Sequence, residues 1–262
     1  MTPLLTRLAV VAAGLPIVIG AAVVGGWFLF ALIAVGGLVG LHEFYRLARD
    51  LRPLVLAGYG GALGAYLGAE LGDAAWMLAG FLVVFPLAFV FAAVSATRQS
   101  TTVAISSTVM GAAWVGFGLA HLILLHDLPD GRDAILAVLF TVFATDTLAY
   151  VGGRLAGRHR MSPVMSPGKT WEGFIVGALA GIATAFIVLY ETDYAGWQSI
   201  VFGALVVLAA TIGDLFESLV KRDLGAKDTG RVLLGHGGVL DRIDSLLFAA
   251  PVGYYALLAL AH

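Results

Sequence analysis

The chain has 262 residues, of which 60% are hydrophobic and only 12% charged, with a mean hydropathy of +0.95. A soluble domain carries about 45–50% apolar and about 25% charged residues, so the composition excludes that class and describes a polytopic integral membrane protein. The formal net charge of −2 decides little, and the lack of cysteine excludes disulfides, thiolate catalysis and Cys-based zinc sites.

A spanning helix needs about 20 apolar residues. Nine stretches qualify in chain order: Leu8–Val24, Gly26–Leu47, Leu54–Leu71, Ala75–Val94, Val103–Leu125, Ala134–Gly152, Trp171–Tyr190, Trp197–Val220 and Ile243–Leu260. The expected fold is therefore all-α, with about nine transmembrane helices. Arg7 precedes the first apolar stretch, but that stretch runs on into further spans, so a cleavable signal is not expected. The boundary at Gly25-Gly26 is open: one long tilted helix there would invert the topology of everything downstream.

With nine spans and a cytoplasmic N-terminus, fourteen of the fifteen Lys and Arg residues fall on the cytoplasmic side; Arg132 is the exception. The outer loops carry Glu70, Asp73, Asp127, Asp130, Asp133, Glu191 and Asp193 instead. This division obeys the positive-inside rule. It also turns the two longest polar loops, Gly153–Thr170 and Lys221–Arg242, toward the cytoplasm. Connections of that length tend to be functional. No repeat is visible, and residues 1–262 read as one membrane domain. Residues 1–125 are helices rich in small residues, suited to close packing and to dimerisation. Within them His42, Glu43 and His121 stand out. Glu43 is expected near the inner interface beside Arg46, as an i,i+3 pair; a part in substrate entry is the alternative.

The stretch from Gly213 to Ser245 holds six of the seventeen acids and two of the three lysines. Charge in or beside a bilayer is costly and is usually there for function. Asp214, Glu217, Ser218, Lys221 and Arg222 share one helix face by their spacing. Intrahelical pairs such as Glu217–Lys221 and Asp214–Ser218 are the plain structural alternative. Downstream come Lys227-Asp228, then His236-Gly237-Gly238, then Asp241-Arg242-Ile243-Asp244. A glycine pair lets backbone approach a ligand, and successive amides can form an anion nest. Asp241 and Asp244 open the last span, where carboxylates also favour the helix dipole. Carboxylates beside Lys, Arg, His and a glycine pair suggest a hard cation, such as Mg²⁺, held together with phosphate.

A second constellation runs from Asp146 to Gly173, with Arg154, Arg158, Arg160 and Lys169. Ser166-Pro167 reads as an N-cap followed by Pro at the first helical position. Gly168-Lys169-Thr170 would then sit in the first turn of the seventh span, its amides open to an anion. It is not a P-loop, since Pro163 stands where that motif needs glycine. A basic inner loop can also be a topology signal alone.

These stretches resemble the phosphatidate cytidylyltransferases, also called CDP-diacylglycerol synthases. The family pattern S-x-(apolar)-K-R-x4-K-D-x-G, then H-G-G-x-x-D-R-x-D, is matched by Ser218, Lys221-Arg222, Lys227-Asp228, Gly230, His236-Gly237-Gly238, Asp241-Arg242 and Asp244. Upstream, Asp146, Tyr150, Gly157-Arg158, Ser162-Pro163, Ser166-Pro167, Lys169 and Glu172-Gly173 are similar too. The likeness covers residues 146–248, taken as the catalytic part; the first half is similar only in being hydrophobic. It departs at Leu234, where the family has Pro.

The resemblance implies an enzyme that makes CDP-diacylglycerol from CTP and phosphatidate with Mg²⁺, alongside a second cation such as K⁺. It also implies a homodimer in a bacterial cytoplasmic membrane, its site facing the cytoplasm. Membrane lipid is an expected partner and nucleic acid is not. By position Asp214 and Asp241 match the family's metal-binding aspartates. Asp244 joins them as a candidate ligand, with Lys221 and Arg222 completing the catalytic set. Lys169, Ser166, Ser218, Lys227, Asp228, His236, Gly237, Gly238, Arg242 and Asp146 are the expected substrate-binding residues. The phosphate nucleophile is largely ionised near neutral pH, with a second pKa of about 6, so the carboxylates read as ligands rather than bases.

Two rivals stay open. A CTP-dependent polyprenol kinase would transfer the γ-phosphoryl group instead. A transporter would show midplane charges and matching halves, whereas these charges lie mostly at one face. The CDP-alcohol phosphotransferases need Ala-Arg after Asp-Gly, which Asp130-Gly131 lacks.

Overall fold

The computed structural model describes residues 3–94, 100–230 and 237–261, with side chains described from residue 14 onward. His236, Arg231 and Leu234 lie outside the described residues, as does Arg98. The chain forms two compact units, Met1–Leu124 with Ala226–Ile243, and Leu125–Gly225 with Asp244–His262.

The first unit opens with α1 (Pro3–Val24) and α2 (Gly26–Leu47). Gly25 and Gly26 both take positive φ, 68° and 53°, a conformation that helical L-residues do not adopt. The chain therefore breaks here into two helices, α1 and α2. After a short 3₁₀ turn come α3 (Val55–Leu71), α4 (Ala74–Leu82) and α5 (Val84–Val94). Asp73 caps α4 by accepting from the amides of Ala75 and Trp76. The fifth expected span is interrupted: α6 (Thr101–Gly111) passes through a π-helical turn at Ala112–Phe117 into α7 (Gly118–His126). α2 turns Leu41, Phe44 and Tyr45 into the core, all at most 2% exposed.

The second unit holds α8 (Gly131–Ala156), a hairpin of β1 (Arg160–Ser162) and β2 (Ser166–Thr170), then α9 (Trp171–Val188) and α10 (Trp197–Asp223). α11 (Leu240–Leu260) begins in the first unit and continues into the second. α8 and α9 pack closely because α9 carries glycine at four-residue spacing. A Cβ at Gly173 would meet the Ala149 carbonyl at 2.5 Å, and one at Gly177 the Thr145 carbonyl at 2.6 Å. Small residues at helix contacts are the membrane solution to close approach.

The hairpin corrects the expectation at Ser166-Pro167. Ser166 does not cap a helix; it starts β2 and pairs with Ser162, while Thr170 pairs with Arg160. The N-cap of α9 is Thr170, whose Oγ1 accepts the Gly173 amide at 3.2 Å. Thr170 has extended backbone and a side-chain acceptor three residues before that amide, the stronger cap geometry. Glu172 secures the return strand by accepting the amides of Arg158 at 3.0 Å and His159 at 3.2 Å. Lys169 thus sits in a strand, not in a helical first turn open to an anion.

Among the described residues, seven helical stretches are long and apolar enough to cross a membrane. The two further expected spans correspond to α1 and to α3, which has 17 residues. Large apolar side chains on the helices face outward, Phe89 at 71% and Leu179 at 66% exposure, as lipid-facing helices require. The chain is an all-α integral membrane protein with one small hairpin.

Candidate active site

In the second unit, four carboxylates from three helices converge. α8 contributes Asp146, α10 contributes Asp214 and Glu217, and α11 contributes Asp244. Gly213 makes the approach of α10 to α11 feasible, because a Cβ there would lie 2.8 Å from the Asp244 carbonyl oxygen. Asp214 acts electrostatically on both Asp146 and Asp244, and Asp244 in turn faces Glu217. Ser245 donates to Asp146 at 3.4 Å, tying α11 to α8.

Two lysines answer this charge. Lys169 reaches from β2 to place Nζ 2.7 Å from Asp214 Oδ2. Lys221 Nζ lies 2.7 Å from Glu217 Oε2, one turn away on α10. The plain structural alternative for that helix face is therefore met in part: the Glu217–Lys221 pair forms, and Glu217 is 1% exposed. Glu217 Oε1 is buried with no hydrogen-bond donor.

The structure thus gathers Asp146, Lys169, Asp214, Lys221 and Asp244 from sites far apart in sequence. Ser218 is half-buried on α10, while Arg222, Lys227, Asp228 and Arg242 are exposed. Ser166 is at the start of β2, half-buried.

Asp241, Gly237 and Gly238 belong to the first unit. The Asp241 carboxylate accepts the Gly238 amide at 2.8 Å and the Thr229 amide at 3.1 Å. The Gly238 amide, expected to face an anion, is thus directed at Asp241. Glu43 departs from the expected pairing with Arg46. It is 2% exposed, accepts the Leu240 amide at 2.8 Å, and takes a 3.5 Å contact from Thr229 Oγ1. Its hydrogen-bond partners lie on the signature segment, and no ion pair with Arg46 forms among the described residues. The signal in the sequence is a lone acid in a largely apolar helix, too common a feature to reveal partners nearly two hundred residues away.

The donor set suits a hard cation: every candidate ligand is a carboxylate oxygen, and one buried oxygen, Glu217 Oε1, lacks a donor. Among the described residues no group of three or more His, Asp or Glu side chains is placed to hold a metal ion. Mg²⁺ does not ask for one, since it is commonly held by one or two carboxylates plus substrate phosphates.

Comparison with known proteins agrees with this chemistry. A family model described as the cytidylyltransferase family matches residues 5–260, so the likeness extends through the N-terminal half, beyond the 146–248 stretch. A phosphatidate cytidylyltransferase of Mycobacterium bovis is 35% identical over 251 residues, covering 87% of this chain and 79% of that protein. Proteins of the same description from Staphylococcus saprophyticus and Brucella abortus are 39% and 44% identical over 146 residues, covering 55% of this chain in each case. The aligned part of the chain spans about half the length of those two relatives, 55% and 54% respectively.

Proposed function

The chain belongs to the cytidylyltransferase family, and from that premise we propose that it transfers the cytidylyl group of CTP to phosphatidate. The products are CDP-diacylglycerol and pyrophosphate. A phosphate oxygen of phosphatidate forms a bond to the α-phosphorus of CTP, and the bond from that phosphorus to pyrophosphate breaks. Two anions must meet, so charge neutralisation and in-line positioning carry the rate. The observation that carries this reading is the meeting of Asp146, Asp214, Glu217 and Asp244 with Lys169 and Lys221 at one place in the second unit.

Asp214 and Asp244 are the groups of the second unit that would hold Mg²⁺, and Asp241 is the candidate ligand of the first unit. Bound there, the ion would neutralise phosphate charge as a Lewis acid. Lys169 and Lys221 supply mobile positive charge beside the carboxylates, and Arg222, Lys227 and Arg242 supply exposed charge for phosphate. The nucleophile needs no strong base, because a phosphate monoester is mostly dianionic above a pKa of about 6. The lipid tails stay in the apolar phase while the head group reaches the polar residues.

The same reading places the N-terminus and the site on the cytoplasmic side of a bacterial membrane, with nine crossings and a homodimer. The distribution of Lys and Arg supports the orientation. The test is product analysis on purified protein with phosphatidate, Mg²⁺ and CTP labelled separately at the α and γ positions. Entry of α label into lipid with pyrophosphate release is expected. Entry of γ label with CDP release would make the enzyme a kinase and overturn the proposal.

A further inference from the structure

We propose that Glu43 is a positioning residue: from α2 it caps the start of α11 and clamps the segments on either side of the signature loop, thereby setting Asp241. The inference rests on the reading of Asp241 as a member of the active site. α11 starts at Leu240, whose amide, the first of the helix, has no acceptor within it. The residue before it is Val239, whose side chain carries no acceptor. Glu43 Oε2 supplies the missing acceptor from another helix, receiving the Leu240 amide at 2.8 Å. A carboxylate at this end is also favourable to the helix dipole.

The same carboxylate organises both flanks of the loop. Thr229 Oγ1 approaches Glu43 Oε2, while the Thr229 amide goes to Asp241. Thr229 therefore links the two acids. A Cβ at Gly230 would lie 2.5 Å from Glu43 Oε1, and one at Gly238 would collide with Glu43 Oε2. Two of the signature's glycines, Gly230 and Gly238, thus make room for this side chain, Gly238 for Thr229 Oγ1 as well. Glu43 Oε1 is buried without a hydrogen-bond partner, so the carboxylate is held by the Leu240 and Thr229 contacts and by packing. A surface residue merely pairing with Arg46 would show none of this.

The test compares Glu43→Gln and Glu43→Ala in the full-length protein, reading cytidylyl transfer and amide hydrogen exchange at residues 229–230 and 238–240. Gln keeps a carbonyl acceptor for the Leu240 amide; Ala keeps nothing. Glu43→Ala is expected to lower turnover by about 100-fold, the scale of an ångström-level misplacement of a reacting group. Exchange at 238–240 should rise about tenfold as the local structure opens, with α8 and α9 unchanged. Glu43→Gln should bring turnover back to within about tenfold of wild type and exchange at 238–240 to within about twofold. Gly230→Ala, which presses on Glu43 without removing it, should reproduce the loss and serves if Glu43→Ala does not fold. Wild-type exchange at 238–240 in Glu43→Ala, or in Gly230→Ala where that variant replaces it, overturns the proposal. So does a Gln variant as impaired as Ala. If the wild-type protein shows no cytidylyl transfer, the functional reading fails while the exchange data still decide the clamp.

Discussion

Lys169 Nζ lies 2.7 Å from Asp214 Oδ2, joining a β-hairpin to the middle of the acidic cluster. Both side chains remain about a quarter to a third exposed, 24% and 31%, so the pair is reachable by a ligand. In the proposed reaction Lys169 would both compensate Asp214 and meet phosphate. Lys169→Gln is expected to lower cytidylyl transfer by about 10²-fold or more, the usual loss for one stabilising donor. A double-mutant cycle with Asp214→Asn should show strong non-additivity, because the two residues touch. Pyrophosphate release measures both; additive effects would mean that the two residues act independently in turnover.

Asp214→Asn, Asp241→Asn and Asp244→Asn remove one candidate ligand each. Losing several kcal/mol of transition-state stabilisation corresponds to a rate loss of order 10³. Each variant should remain folded by size-exclusion profile and lose turnover on that scale. Residual activity should need more Mg²⁺ for half-maximal rate. Chelation of divalent cations should abolish wild-type turnover, with recovery on adding Mg²⁺. A folded variant with wild-type turnover removes that aspartate from the ligand set.

Glu217 and Lys221 form a buried pair, with side chains 2% and 14% exposed. Lys221→Met leaves the Glu217 carboxylate buried without its cation, a change that costs about 3–5 kcal/mol. The double variant Glu217→Gln/Lys221→Met removes the stranded charge and should recover much of the lost melting temperature. If Lys221 also meets phosphate, the double variant stays inactive despite its recovered stability. Thermal unfolding in detergent and turnover, measured on the same samples, separate the two roles.

Gly177 on α9 faces the Thr145 carbonyl of α8, one residue before Asp146. Gly177→Val forces these backbones apart, and overpacking of this kind costs about 1–3 kcal/mol. The shift would move Asp146, so turnover should fall along with melting temperature. Gly168→Val is the control, since nothing lies within 4 Å of a Cβ there. It should leave the melting temperature unchanged.

What the sequence determined by itself was whatever depends on composition and local spacing. Sixty per cent apolar residues in long runs leave helices as the economical way to satisfy backbone groups in lipid. The i, i+3, i+4, i+7 spacing of Asp214, Glu217, Ser218 and Lys221 places them on one face of α10. The signature between Ser218 and Asp244 was dense enough to point to the family. Tertiary structure alone decided which distant groups meet. Asp146, Lys169, Asp214 and Asp244 come from four separate segments, and their meeting depends on close helix contacts that glycines such as Gly173, Gly177 and Gly213 permit. Ser166-Pro167 matched a helix start locally, yet cross-strand pairing with Ser162 and the better cap at Thr170 outcompeted it. The Glu43 carboxylate is held by the amide of Leu240, 197 residues on. No local pattern records such a contact, because a buried acid finds its donors in space rather than along the chain.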